Sequence, residues 1–333
     1  MEEAMGLKIG DNIKNRYTII RKLGEGGFGA VFMVEDLSVK QRFAMKVESA
    51  KEKVQVLKME VVVLQELNKQ FGGRHVCKIM DRGRNAAFSY VIMTLVGQSL
   101  QDLRKASPGS RFSLGTAIRV GIQTLEALED MHRICYLHRD IKPGNFAIGR
   151  EEVGEQRIVY ILDFGMARKF IGSSGRIRTP RSAAGFRGTI RYAPINCHQS
   201  KELGRDDDVE SWFYMLLELT RGRVPWAALQ DKDEVGRYKV RARSTGELIQ
   251  EVPALYGDVI AYVDKLTYWD TPDYERIYRV LRDIMRDQGI RDGDPYDWEK
   301  GGRARREAEA LPAPGYNPHC GAAVVDFAKT GGR

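Results

Sequence analysis

Leu137-His138-Arg139-Asp140-Ile141-Lys142-Pro143-Gly144-Asn145-Phe146, followed by Leu162-Asp163-Phe164-Gly165, is the stretch from which the rest of the chain is read. A hydroxyl attacking a nucleotide γ-phosphate needs a carboxylate to orient it, a cation for the phosphoryl charge, and oxygen ligands for Mg²⁺. The run holds all three. Asp140 suits the hydroxyl and its proton, Lys142 the γ-phosphate, and Asn145 with Asp163 the metal.

Upstream, Leu114, Ile118, Ile122, Leu125 and Leu128 follow the helix start Phe112-Ser113 at a spacing near 3.6, which predicts a long helix delivering the loop at His138. His138 itself, in an apolar setting, reads as structural rather than as a base or ligand. Between Asn145 and Asp163, Phe146-Ala147-Ile148 and Ile158-Val159-Tyr160-Ile161-Leu162 read as short strands joined by a polar turn. Both metal-ligand candidates then stand at the ends of one hairpin.

Nearer the N-terminus, residues 1–16 are polar without a pattern and read as a leader. From Tyr17 the alternation predicts two strands, with Leu23 before the turn, around Gly24-Glu25-Gly26-Gly27-Phe28-Gly29-Ala30-Val31. Glycines let backbone N–H groups approach phosphates without a Cβ in the way. A G-x-G-x-x-G run is weak by itself, but a strand follows it here rather than a helix, which argues against a dinucleotide fold. Arg42-Phe43-Ala44-Met45-Lys46-Val47 reads as a third strand. The segment 54–71 reads as an amphipathic helix with Leu57, Val61, Leu64 and Leu67 on one stripe and Glu60 beside it. A carboxylate there calls for a cation, and Lys46 is the natural one. Phe88-Ser89-Tyr90-Val91-Ile92-Met93 is a further strand, ending in Thr94-Leu95-Val96-Gly97.

Downstream of Gly165, the chain to Lys201 carries Arg168, Lys169, Arg176, Arg178, Arg181, Arg187 and Arg191 and no acidic residue. Such a run is either a solvated face or a groove for acidic or phosphorylated peptides, since guanidinium forks match phosphate oxygens. Arg139 could also receive a phosphate on Thr179 or Ser182 and so order the segment. Asp206, Asp207 and Asp208 precede a nearly continuous apolar run and read as N-terminal caps of a central buried helix. Val224-Pro225-Trp226 and the stretches 260–269 and 274–285 read as further helical material, and residues 301–333 as a mobile basic tail.

A length of 333 residues exceeds the usual single core and predicts two lobes, and 43% hydrophobic with 29% charged residues is an ordinary globular composition. No apolar run approaches the ~18 residues of a membrane span, and Met1-Glu2-Glu3 lacks a signal-peptide pattern. The chain therefore reads as cytoplasmic, with the nucleus as the other compartment. Four cysteines without C-x-x-C spacing indicate neither a zinc site nor a disulfide framework. A net charge of +8 favours acidic partners. Without an aromatic platform or recognition motif, specific nucleic-acid binding is not expected.

The order H-R-D-x-K-x-x-N then D-F-G resembles the eukaryotic protein kinases. The resemblance implies an α+β bilobal fold: a small lobe over 17–96, antiparallel sheet plus one helix, and a larger, mainly helical lobe over 97–300. It implies transfer of the ATP γ-phosphoryl to protein Ser/Thr hydroxyls, Lys142 being the feature that favours these over Tyr, with ATP and Mg²⁺ in the cleft. Lys46 would clamp the α- and β-phosphates, held by Glu60. Ala44 and Met93 would wall the adenine pocket, with the backbone of Leu95 and Val96 at the adenine edge. Asp208 would brace the catalytic loop. Gly188-Thr189-Ile190-Arg191-Tyr192-Ala193-Pro194-Ile195-Asn196, where most kinases have Ala-Pro-Glu, is similar to the casein kinase 1 group. Lys46-Val47-Glu48-Ser49-Ala50 and Asp294-Pro295-Tyr296-Asp297-Trp298-Glu299-Lys300 look like its tau-tubulin kinase-like branch, of nematode type. Substrates would be acidic, phosphorylated or cytoskeletal proteins, and the enzyme a monomer. Two positions depart from the pattern: Glu210 replaces a usual tryptophan, and Gln230 stands where relatives carry a phosphate-binding lysine, which weakens a need for a primed substrate. The alternative on the same fold is a pseudokinase scaffold, and intact Lys46, Glu60, Asp140, Asn145 and Asp163 speak against it.

Overall fold

The computed structural model describes residues 6–303 apart from 27–28 and 53–54. Gly27 and Phe28 of the glycine run, residues 1–5 and the tail beyond 303 thus lie outside the described residues. The small lobe contains β1 (Asn12–Ile13), β2 (Tyr17–Gly26), β3 (Gly29–Asp36), β4 (Gln41–Ser49), α1 (Val56–Phe71), β5 (Ile79–Arg84) and β6 (Phe88–Thr94). Its strands form one antiparallel sheet in the order β1-β2-β3-β4-β6-β5.

Register decides which face each side chain serves, because successive residues of a strand point to opposite sides. Ala30 lies opposite Val47 and Phe32 opposite Met45, and all four are buried in a core with Tyr17, Ile19, Tyr90 and Ile92. Val31 lies opposite Lys46 and Met33 opposite Ala44, on the other face, and the rows continue to Val91 and Met93 on β6. Helix α1 buries Leu57, Val61, Leu64 and Leu67. Its first turn is capped from another element: the buried Glu48 carboxylate on β4 accepts the N–H groups of Val56 at 2.6 Å and Leu57 at 3.1 Å. An anion at the positive end of a helix is favourable, and here it ties α1 to the strand that carries Lys46.

Two expectations need correction. The described part of 1–16 is not a leader: Leu7 and Ile13 are buried in the sheet's core, and Asn12 and Ile13 pair with Thr18 and Tyr17. Two inward-pointing apolar residues are too few to make a legible period. Val224-Pro225-Trp226 is not helical, and 264–269 are likewise not helical. Strand β5 was not anticipated, being a half-exposed edge whose residues alternate without strong apolar contrast.

The large lobe contains α2 (Leu100–Ala106), α3 (Leu114–Arg133), β7 (Tyr136–Leu137), β8 (Phe146–Ile148), β9 (Val159–Ile161), β10 (Arg168–Lys169), α4 (Ile195–His198), α5 (Arg205–Arg221), α6 (Lys232–Ser244), α7 (Tyr256–Val263) and α8 (Tyr274–Asp287). Helix α5 is buried from Asp206 to Arg221, as an almost unbroken apolar run requires. Helix α3 packs on it, the Trp212 indole donating to the Gly121 carbonyl at 3.1 Å and to Thr124 Oγ1 at 3.0 Å. The stretch 292–299 closes this lobe. Asp297 accepts the Ser113 amide at 2.6 Å and hydroxyl at 2.7 Å, and Arg119 donates to the carbonyls of Asp292, Asp294 and Pro295 while stacking on Tyr296. Among the described residues no helix is long and apolar enough to cross a membrane.

Candidate active site

The loop between β7 and β8 is held from beneath by α5. Buried Asp208 accepts the backbone N–H of His138 at 2.7 Å and of Arg139 at 2.8 Å, and its carboxylate lies 3.0 Å from His132 Nε2. Of the three aspartates read as caps, Asp207 does take the Gly204 amide at 2.7 Å, whereas Asp208 serves the loop. Arg139 adopts a left-handed φ of 68°, a conformation that the paired amides keep in place. His138 Nδ1 lies 3.3 Å from the Asp140 amide and Nε2 lies 3.1 Å from the Leu162 carbonyl, so one neutral tautomer with its proton on Nε2 satisfies both. That histidine links the catalytic-type loop to the Asp163 turn.

Asp140 is only 8% exposed. Lys142 Nζ donates to its Oδ2 at 2.7 Å, Thr189 donates to its Oδ1 at 2.8 Å, and Lys142 also reaches Thr189 Oγ1 at 3.1 Å. Asn145 Nδ2 donates to the Asp140 carbonyl at 2.8 Å, which leaves the amide oxygen as the atom able to bind a cation. The β8–β9 hairpin carries Asn145 and Asp163 at its two ends, and the Leu162 amide donates to the Asn145 carbonyl at 2.8 Å.

Across the cleft, Lys46 Nζ stands 2.7 Å from Glu60 and 3.2 Å from Asp163. An ammonium between two carboxylates keeps its proton firmly, the two anions outweighing burial. Burial alone would raise the Asp163 pKa, but the Lys46 ammonium beside it holds it below the ordinary carboxylate value. Asp163 therefore faces the cleft ionised, with a left-handed φ of 61° that aims the side chain. The Phe164 amide donates to Glu60 at 3.3 Å and the Phe164 ring is buried near His138, so α1, the Asp163 turn and the Asp140 loop form one connected unit.

These groups line one cleft of about 1760 Å³ between the lobes. Its walls include Leu23, Gly24, Glu25, Gly26, Gly29, Val31, Ala44, Lys46, Glu60, Met93, Leu95, Val96, Asp140, Lys142, Asn145 and Asp163. Ala30 is a correction: strand alternation turns it into the sheet's core, 0% exposed and opposite Val47. Gly29 is confined for the same geometric reason, since φ is 152° and a Cβ would lie 1.9 Å from the Val47 carbonyl. Sequence reasoning missed Thr189 as a partner of Asp140, and missed Leu64, Cys77, Ile148 and Ile161 as cleft walls. The helical stripe and the short apolar strands could have pointed to Leu64, Ile148 and Ile161; nothing local marks Thr189 or Cys77.

The cationic segment changes character in three dimensions. Arg181 and Arg168 pair with Glu202, and Arg191 with Glu218, carboxylates that lie outside the segment. Arg139, by contrast, has its pKa pushed down to about 10 by burial and by Arg187 and Arg168. A positive surplus thus remains beside Asp140.

The protein kinase domain model matches residues 17–267, well over half of the chain. A probable serine/threonine-protein kinase of Dictyostelium discoideum is 39% identical over 89% of this chain, which spans 59% of that relative's length. A serine/threonine-protein kinase of Caenorhabditis elegans is 36% identical over 88% of this chain and 78% of its own. Another protein of that nematode, named as a candidate casein kinase I, is 33% identical over 88% of this chain and 86% of its own. With the two-lobed fold and the cleft between its lobes, these matches show that the chain belongs to the eukaryotic protein kinases and is by family a serine/threonine kinase.

Proposed function

We propose that this chain moves the γ-phosphoryl of ATP to Ser or Thr of acidic or phosphorylated proteins, with Asp140 as the base. The observation that carries this reading is the convergence of Asp140, Asn145, Asp163 and Lys46 on one cleft through a continuous set of hydrogen bonds. Asp140 would accept the hydroxyl proton, with Thr189 and Lys142 fixing the orientation of its carboxylate. Lys142 would lie against the transferring group, and Lys46, steadied by Glu60, against the α- and β-phosphates. The oxygens of Asn145 and Asp163 suit a hard cation held by one or two protein groups plus phosphates. Mg²⁺ bound there would supply charge neutralisation for the phosphates. Leu23, Ala44, Met93, Leu95 and Val96 would enclose the base.

The surplus of Arg139 and Arg187 next to Asp140 supports acidic or phosphorylated flanks, or a phosphate on the segment itself. Membership of the casein kinase 1 group, in its tau-tubulin kinase-like branch, rests on the 188–196 and 294–300 motifs. Transfer from radiolabelled ATP to casein and to a degenerate peptide library, with Asp140→Asn as the control, tests the proposal. Transfer by the wild type and none by the variant is expected, with acidic or phosphorylated flanks enriched. An indifferent library profile would discard the substrate preference; absence of both transfer and nucleotide binding would favour the scaffold.

A further inference from the structure

Residues 190–195 run from Thr189, which bonds Asp140, into α4, and form little backbone pairing of their own. The amides of Tyr192 and Ala193 both turn back onto the Thr189 carbonyl at 2.9 Å. Four further backbone groups meet side chains of α5, α6 and the turn between them. Lys239 on α6, 0% exposed, donates to the carbonyls of Ile190 at 2.9 Å and Ala193 at 2.6 Å, with His198 Nε2 at 3.1 Å. The Trp226 indole donates to the Arg191 carbonyl at 2.7 Å. Glu210 on α5 accepts the Ile195 amide at 2.8 Å and is itself held by Arg243 at 2.8 Å and Tyr214 at 2.8 Å.

A fully buried lysine is an expensive residue to place. Burial pulls its pKa down to about 7, against the opposing pull of Glu210 and Cys197. An aliphatic side chain would fill the same space between the rings of Tyr214 and Trp226. What it would lack is three donors arranged for three acceptors.

We propose that Lys239 is a positioning residue for substrate engagement: it fixes the backbone beside Asp140 that a peptide must dock against, and leaves nucleotide binding alone. The inference rests on the kinase reading of the cleft. Lys239→Met keeps the stem against the rings and removes the donors. Steady-state kinetics would be run with peptide and ATP varied separately, alongside hydrogen exchange of the 189–195 amides. The expected result is a peptide KM raised about tenfold with an unchanged ATP KM and faster exchange at Tyr192 and Ala193, the amides of the turn that Lys239 pins. Should the variant not fold, Trp226→Phe removes the donor to Arg191 while keeping an aromatic ring beside Lys239, and with activity corrected for the folded fraction it is expected to raise peptide KM about threefold. Unchanged peptide KM and exchange, with kcat merely tracking the folded fraction, would overturn the inference. A wild type without transfer would overturn the kinase reading instead, while the exchange data would still judge the clamp.

Discussion

Replacing Asp208 by Asn tests whether the catalytic-type loop is held by one buried carboxylate. Asp208 is 3% exposed and accepts two backbone amides, at 2.7 and 2.8 Å, beside His132 at 3.0 Å. An asparagine has one acceptor oxygen and presents an NH₂ where the second amide also donates. One charge-assisted bond is lost and a buried donor is left facing another, which together cost about 3 kcal/mol. The left-handed Arg139 would then relax, and a shift of roughly 1 Å in Asp140 lowers kcat by about a hundredfold. Burial alone would raise the Asp208 pKa, yet the hydrogen bond from His132 and the loop amide hold it below its unfolded value. A depressed folded pKa stabilises fully above the unfolded pKa and is lost as pH falls through the folded one. The stability gap between wild type and variant should therefore persist at neutral pH and close only below about pH 4. Urea unfolding across that range, with kcat corrected for the folded fraction, is the assay. A variant within about 0.5 kcal/mol of wild type and fully active would refute the reasoning.

Gly188 has φ 92° and its added Cβ would lie 2.7 Å from the Arg139 carbonyl, so Gly188→Ala should cost about 2 kcal/mol in urea unfolding and reduce kcat. Arg119→Ala removes four carbonyl contacts and the stack on Tyr296; a loss of about 3 kcal/mol is expected, with a red shift of fluorescence from the region around Trp298. His198 has its pKa pushed down to about 4, by burial first and then by Lys239. The unfolded state binds the extra proton between about pH 6.5 and 4, so stability falls by about 2 kcal/mol as pH drops through that window. His198→Gln should flatten that part of the pH–stability curve, read by thermal unfolding.

The strongest signals in the chain were local ones. Spacing alone marked the two strands around the glycine run, the stripe of α1 and the long helix ahead of His138, because periodicities of 2 and 3.6 are written into consecutive residues. The partnership of Lys46 with Glu60 was inferable from a carboxylate set beside an apolar stripe, and the two do meet at 2.7 Å. What stayed hidden depends on which distant segments come together. Glu48 caps a helix in another element, Glu202 and Glu218 neutralise arginines of a segment that has no acid of its own, and Lys239 is buried beneath residues 190–195. Ala30 shows the same limit at the scale of one residue, since its place in the glycine run says nothing about which face the strand register turns inward. Sequence by itself determined the chemistry on offer and the elements that carry it, both properties of neighbouring residues. Tertiary structure decided which charges remain unpaired and which backbone groups are fixed, because long-range contacts set burial and partners.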